Sequence, residues 1–273
     1  MLALENSTHT IKPTAESGGS IINQSLFDLT GKTAVITGGN RGLGKEISLG
    51  LARAGADIVV VARTIDEAVL DEIRKLGVKA AKVEFDLLNF EQYGELLERC
   101  KELTGSIDIL INNAGVQKRH DSTDFPKQDW DFVMDVNANA AFFMCQTFGA
   151  HMLENGRGKI INLASLLSYQ GGLRVPAYAA SKGAVIQFTK SLANEWAHRG
   201  VNVNAIAPGY MDTEMNTALL ADETRNRQIL ERIPAGRWGK PEDMQGAAIF
   251  LASAASDYLH GITIPVDGGW LGR

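Results

Sequence analysis

The chain has 273 residues, 45% of them hydrophobic and 22% charged, which suits one large α/β domain and argues against global disorder. Its formal net charge of −5 speaks against nucleic acid as the main partner, and no apolar run reaches the length of a membrane span. The two cysteines, Cys100 and Cys145, lack metal-ligand spacing and are expected to be buried or inert thiols of a reducing, cytoplasmic compartment rather than a disulfide.

Residues 1–25 offer little to bury: Thr8-His9-Thr10, a lone Pro13 and Ser17-Gly18-Gly19-Ser20 predict a disordered arm. The segment lacks a signal-peptide apolar stretch, and Glu5 and Glu16 without an arginine disfavour a transit peptide. From Phe27 on, short apolar runs at 34–37, 58–61, 81–85, 107–111, 159–162, 201–205 and 262–266 read as strands. Several are apolar throughout, as parallel strands buried on both faces should be. Helical patterns separate most of them, over 44–54, 65–76, 90–103, 130–153, 178–198 and 241–252. The alternation predicts one α/β domain over 26–273: a seven-stranded parallel sheet, doubly wound, with helices on both faces. The stretch 211–238 interrupts this rhythm and is expected to form a lid over a substrate site.

Two motifs carry chemistry. Thr37-Gly38-Gly39-Asn40-Arg41-Gly42-Leu43-Gly44 follows the first strand and opens a helix. Glycines there let the backbone approach a pyrophosphate, and the helix N-terminus adds partial positive charge. Any tight βα loop uses glycine, so the position after a first strand gives the motif its weight. Tyr178 and Lys182 lie one helical turn apart. A fixed ammonium lowers the pKa of a nearby phenol and fits it for proton transfer to or from a substrate oxygen; otherwise such a pair is a solvated helix face.

The spacing Gly-x-x-x-Gly-x-Gly, the Tyr-x-x-x-Lys pair, Asn112-Asn113-Ala114-Gly115 after the fourth strand, Asn137, Ser165 after the fifth and Pro208-Gly209 after the sixth resemble the short-chain dehydrogenase/reductase family from Phe27 to Arg273. The resemblance implies a Rossmann-type fold and an NAD(P)-dependent interconversion of a secondary alcohol and a ketone. It implies Tyr178 as general acid/base, Lys182 as the group that lowers its pKa and holds the cofactor ribose, and Ser165 as the donor that polarises the reacting oxygen. Asn137 would hold a water linking Lys182 to bulk. Singly, Ser165 could end a strand and Asn137 could satisfy helix backbone. Gly38, Asn40, Arg41, Gly42, Leu43, Gly44, Asn113, Ala114, Gly115, Pro208 and Gly209 would hold the cofactor, with Asp86 and Leu87 at the adenine and Thr213 at the carboxamide. No zinc ligand set is apparent.

The second strand ends Val61-Ala62-Arg63-Thr64, with no acid before Asp66. An acid there would bind the ribose 2′-hydroxyl of NAD; Arg41 and Arg63 instead favour a 2′-phosphate, hence NADP(H). Arg63 could alternatively stack on adenine, with NAD(H) in use. The stretches 168–176, 233–239 and 266–273, with Lys118-Arg119, resemble a subgroup, the 2-dehydro-3-deoxy-D-gluconate 5-dehydrogenases (also called 2-deoxy-D-gluconate 3-dehydrogenases) of uronate degradation. Gluconate 5-dehydrogenases, an NADPH-dependent reductase of 4-deoxy-L-erythro-5-hexoseulose uronate and a broad ketone reductase are alternatives. Arg119, Gln170 and Arg174 are the candidate substrate residues, either arginine being able to grip a carboxylate or to pair with a lid acid such as Asp212 or Glu214. The resemblance further implies a homotetramer built on the helices within 112–153 and 178–198, with Trp270 at a subunit contact. A non-catalytic dinucleotide-binding regulator is the rival class, which the intact set Asn137, Ser165, Tyr178 and Lys182 disfavours.

Overall fold

Side chains alternate across a strand, so apolar runs without polar gaps must be covered on both sides. In the computed structural model, which describes residues 26–273, the central runs are covered in this way, while those at the two sheet edges, 80–84 and 263–266, are only partly buried. The strands are β1 (Thr33–Thr37), β2 (Asp57–Ala62), β3 (Ala80–Glu84), β4 (Ile109–Asn112), β5 (Gly158–Leu163), β6 (Val201–Pro208) and β7 (Thr263–Val266). They form one sheet in the order β3-β2-β1-β4-β5-β6-β7, and every neighbouring pair is parallel. The expected arm, 1–25, lies outside the described residues.

Odd and even strand positions build two separate layers. Ile36, Ile58, Val60, Ile111 and Ile161 pack with α1 (Gly42–Arg53), α2 (Glu67–Arg74) and α9 (Gln245–Ala252). Val35, Val59, Leu110, Ile160 and Val203 pack with α3 (Tyr93–Thr104), α5 (Ala140–Glu154) and α6 (Pro176–Trp196). Both cysteines are free and buried in the second layer; burial pushes each thiol up to about 12, so neither is a ready nucleophile.

The chain leaves β1 toward β2 on one side and resumes with β4 on the other. This topological switch point opens a crevice beyond the carboxyl ends of β1 and β4, where such sheets bind ligands.

One element departs from the sequence reading. The single helix expected over 130–153 is α4 (Lys127–Met134), a π-helical segment (Asp135–Asn139) and then α5. The strand-free stretch 211–238 carries α7 (Thr217–Ala221) and α8 (Glu223–Leu230). Its base is pinned: Met211 forms a parallel bridge with Gly239, and the Asp212 N–H donates to Gly239 O (2.8 Å) while the Gly239 N–H donates to Tyr210 O (2.9 Å).

Candidate active site

The glycine-rich turn is shaped by two positive φ angles, +64° at Gly38 and +53° at Gly42, which favour glycine. Gly44 is required for a different reason: a Cβ there would collide with Gly38 O and Asn113 Nδ2. Asn113 laces the loop after β4 to the turn, its Nδ2 donating to Thr37 O (3.0 Å) and Gly38 O (3.2 Å). Thr37 Oγ1 accepts from the N–H groups of Asn113 (3.0 Å) and Ala114 (3.1 Å). Helix α1 therefore starts at a fixed place with no side-chain cap and no acid in its first turn, leaving its N-terminal N–H groups for an anion.

A cavity of about 900 Å³ fills the crevice, large enough for a dinucleotide. Gly38, Asn40, Arg41, Gly42, Leu43, Gly44, Arg63, Asp86, Leu87, Asn113, Ala114, Gly115, Pro208, Gly209 and Thr213 all line it, with Ser165, Tyr178 and Lys182. Toward β2, Asn40 Nδ2 donates to Thr64 O (2.9 Å). Asp66 turns away, its carboxylate accepting from the Ala68 N–H (3.0 Å) as the cap of α2. Asp86 likewise accepts from the Leu88 N–H (3.1 Å). Arg63 is exposed on the cavity wall, and Arg41 reaches the exposed Glu214 at 3.3 Å.

At the other end, Ser165 closes β5. Its N–H donates to Ser168 Oγ (3.2 Å), which itself donates to Lys182 O (2.7 Å), so the strand end and α6 hold one another. Ser165 Oγ accepts from the Leu167 N–H (3.1 Å), leaving its own proton to donate. Pro176 opens α6 and places Tyr178 in the first turn. Part of Tyr178 opens to the cavity, yet the phenol is densely surrounded: burial raises its pKa, and the Ser165 hydroxyl beside it pulls the other way. Lys182 is 4% exposed. Its Nζ donates to Leu163 O (2.6 Å) and lies 5.9 Å from the Tyr178 ring centroid. Burial brings its pKa down to about 8. Gly115 lies beside it: a Cβ there would stand 3.7 Å from Nζ, in ordinary van der Waals contact.

Asn137 sits in the π-helical segment. Its Oδ1 accepts from the Val116 N–H (2.8 Å) and its Nδ2 donates to Val116 O (2.9 Å) and Ser181 Oγ (3.1 Å). Its side chain thus clamps the loop after β4 to α6, and it makes no direct hydrogen bond to Lys182, whose Nζ donates to Leu163 O.

A smaller cavity of about 110 Å³ adjoins the first and shares Ser165 and Tyr178 with it. Arg119 lines it, with Nη1 donating to Leu173 O (3.1 Å). The other two candidate substrate residues are directed elsewhere. Arg174, the one non-glycine residue with positive φ (+65°) among those described, places its Nε 2.8 Å from Asp121 Oδ1. Its acidic partner is therefore Asp121, not Asp212 or Glu214, and it lines neither cavity. Gln170 Oε1 accepts from Arg232 Nη2 (3.3 Å) and Trp270 Nε1 (3.2 Å), so it secures the C-terminal segment.

A profile of the short chain dehydrogenase family matches residues 32–224. The chain belongs to the short-chain dehydrogenase family. It is an NAD(P)-dependent oxidoreductase acting on CH–OH groups. The 2-dehydro-3-deoxy-D-gluconate 5-dehydrogenase of Escherichia coli is 50% identical to it over 250 residues, covering 91% of this chain and 99% of that protein. Among solved structures, a candidate 2-deoxy-D-gluconate 3-dehydrogenase from Agrobacterium tumefaciens with bound NADP is 51% identical, with a TM-score of 0.86 over 91% of this chain and 99% of that one. A gluconate 5-dehydrogenase from Burkholderia cenocepacia, in complex with NADP and tartrate, is 40% identical, with a TM-score of 0.88 over 92% and 99% of the two chains.

In this short-chain dehydrogenase the residues that motif reading misses are those outside any motif. Arg225 of α8 lines the smaller cavity, as do Asn216 and Leu219 of the 211–238 stretch. Only helical spacing from the buried Ile229 would have pointed Arg225 inward. Chemically, the site joins an anion-binding turn, a hydroxyl and phenol side by side, and a buried ammonium, around space for a dinucleotide and a small substrate.

Proposed function

We propose that this short-chain dehydrogenase interconverts a secondary alcohol and a ketone on a sugar acid, with 2-dehydro-3-deoxy-D-gluconate as substrate and NADP(H) as cofactor. The observation that carries the reading is the smaller cavity: Ser165 and Tyr178 face the same space as a guanidinium, and no Asp or Glu lines it. The names of the relatives at about half identity point to the same class of substrate.

Gly38, Gly42 and Gly44 would admit the pyrophosphate, with Arg41 and Arg63 at the 2′-phosphate. When bound, the nicotinamide supplies hydride transfer. Tyr178 gives its phenolic proton to the ketone oxygen in reduction and takes it back in oxidation. Ser165 donates to that oxygen and stabilises the charge it develops. Lys182 holds the ribose and, while protonated, favours the phenolate. The clamp from Asn137 to Val116 fixes the loop that borders the reacting oxygen. Arg119 binds the carboxylate in charge-assisted hydrogen bonds, and 211–238 closes over the substrate as a lid.

The same reading places the enzyme in uronate breakdown in the cytoplasm, where its free thiols would persist. It works as a homotetramer, supported by the aromatic, partly exposed flank of α5. A second reading, reduction of 4-deoxy-L-erythro-5-hexoseulose uronate with NADPH, is favoured by the two arginines near the adenosine end.

The test is absorbance at 340 nm with NADP(H) and NAD(H) against both substrates and D-gluconate. The expected result is fastest turnover of 2-dehydro-3-deoxy-D-gluconate and a KM for the phosphorylated cofactor at least about tenfold lower. Losing two charge-assisted hydrogen bonds in an Arg41→Ala, Arg63→Ala double variant should erase that preference, each bond being worth about 1.5–3 kcal/mol. Faster turnover of neutral ketones than of any sugar acid would refute the substrate class, and a preference for NAD(H) in the parent enzyme would refute the cofactor.

A further inference from the structure

Helix α8 carries two arginines two positions apart, which sets them on different faces. Arg227 is exposed and pairs along its own helix with Glu231, at 3.9 Å. Arg225 is half-buried and lies one turn before Ile229, which packs with Leu166, Trp238 and Trp270. That packing fixes the inward face of α8, and Arg225 lines the smaller cavity with Ser165 and Tyr178. Its Nη1 donates to the neutral Gln228 Oε1 (2.9 Å). Its own N–H is held by Asp222 Oδ1 (3.0 Å), the cap of the helix. Neither Arg225 nor Arg119 has a carboxylate partner among the described residues, whereas Arg74, Arg174 and Arg237 each have one at 2.6–2.8 Å. Two guanidinium groups therefore share a small space with the reacting hydroxyls and no counter-charge. An uncompensated pair of this kind strengthens whatever anion enters and disfavours a neutral occupant.

We propose that Arg225 is a second substrate-binding residue, which grips the carboxylate of the sugar acid from the 211–238 segment together with Arg119. The inference rests on the sugar-acid reading above and deepens it: the residue belongs to the segment that covers the substrate, so acid recognition and closure share one side chain. Gln228, a neutral partner one turn away, holds the guanidinium without neutralising it.

The experiment compares the parent enzyme with Arg225→Gln and Arg225→Lys, using 2-dehydro-3-deoxy-D-gluconate and D-gluconate with NADP(H), and calorimetric titration of D-gluconate into the enzyme with NADPH. Arg225→Gln should raise KM for the acids at least about tenfold, the scale of one lost charged hydrogen bond. Its kcat should stay within about threefold, with the melting temperature and the KM for NADP⁺ unchanged. Arg225→Lys should recover part of the loss, because it restores the charge. If the parent binds or oxidises the acids and Arg225→Gln matches it, the role of Arg225 is refuted while the sugar-acid reading stands. A rise in KM for NADP⁺ alongside a fall in melting temperature would refute it too, by showing that the residue only supports the fold. A parent enzyme that neither binds nor turns over any sugar acid would overturn both.

Discussion

At the scale of single residues, Lys182 sets the clearest physical tension. Its ammonium is buried, held by Leu163 O at 2.6 Å, and its pKa falls to about 8, against about 10.4 for a free lysine. Burial thus penalises the charged form that the phenol needs nearby. The sign of the linked stability follows. Between pH 8 and 10.4 the unfolded chain still binds this proton and the folded chain does not, so stability rises with pH across that window. The penalty is full below pH 8 and worth about 3 kcal/mol by the shift in pKa. In cofactor-free enzyme, the difference in urea unfolding free energy between the parent and Lys182→Met should therefore grow in the parent's favour from pH 7.5 to pH 10. Parallel pH profiles would show that the ammonium is solvated after all. The pair Tyr178 and Lys182 was legible in the sequence because its spacing is local. The partner of Arg174 was not: Asp121 lies on a different loop, and only the folded chain brings the two together.

At the scale of elements, turns and strands were legible because their signals are local: glycines where φ is positive, apolar runs where both faces are covered. The π-helical break at Asp135–Asn139 was not, because its reason is tertiary. Asn137 bonds both backbone groups of Val116 from within this segment, no breaker in the sequence marks it, and π-bulges are frequent at functional sites. Glycines inside helices divide by the same logic. Gly149 of α5 faces Trp196 of α6 so closely that a Cβ would stand 2.5 Å from Cζ3, while Gly94 in the first turn of α3 has nothing within 4 Å. Alanine at Gly94 should stabilise by about 0.5–1 kcal/mol through helix propensity. Alanine at Gly149 gains the same propensity but must force the indole aside, at a cost of about 1–3 kcal/mol, so its net effect should be a loss. Thermal unfolding of the two variants checks the opposite signs; stabilisation by both would mean that α5 and α6 are more loosely packed than these distances allow.

At the scale of the whole molecule, one flank of the second core layer carries an aromatic surface. Phe143 of α5 is 38% exposed, and it continues a run of aromatic contacts: Phe90 to Phe143 at 5.5 Å, Phe143 to Phe142 at 5.4 Å and Phe142 to Phe188 at 5.8 Å between ring centroids. The rings join α5 to the flank of α6, and these are the helices on which the proposed tetramer rests. Aromatic side chains on such a flank are costly in water and favourable against a second copy, where a symmetric contact meets each ring with its own equivalent. Light scattering after gel filtration should therefore report four chains per particle. Phe143→Glu, which would put like charges face to face in the proposed symmetric contact, should shift the distribution to dimers or monomers while leaving far-UV circular dichroism unchanged. Because α6 also carries Tyr178 and Lys182, dissociation should lower kcat as well, since the face of the helix opposite the cavity loses its support. A monomer with full activity would separate the assembly from the site; a tetramer indifferent to Phe143→Glu would move the interface to another face of the molecule.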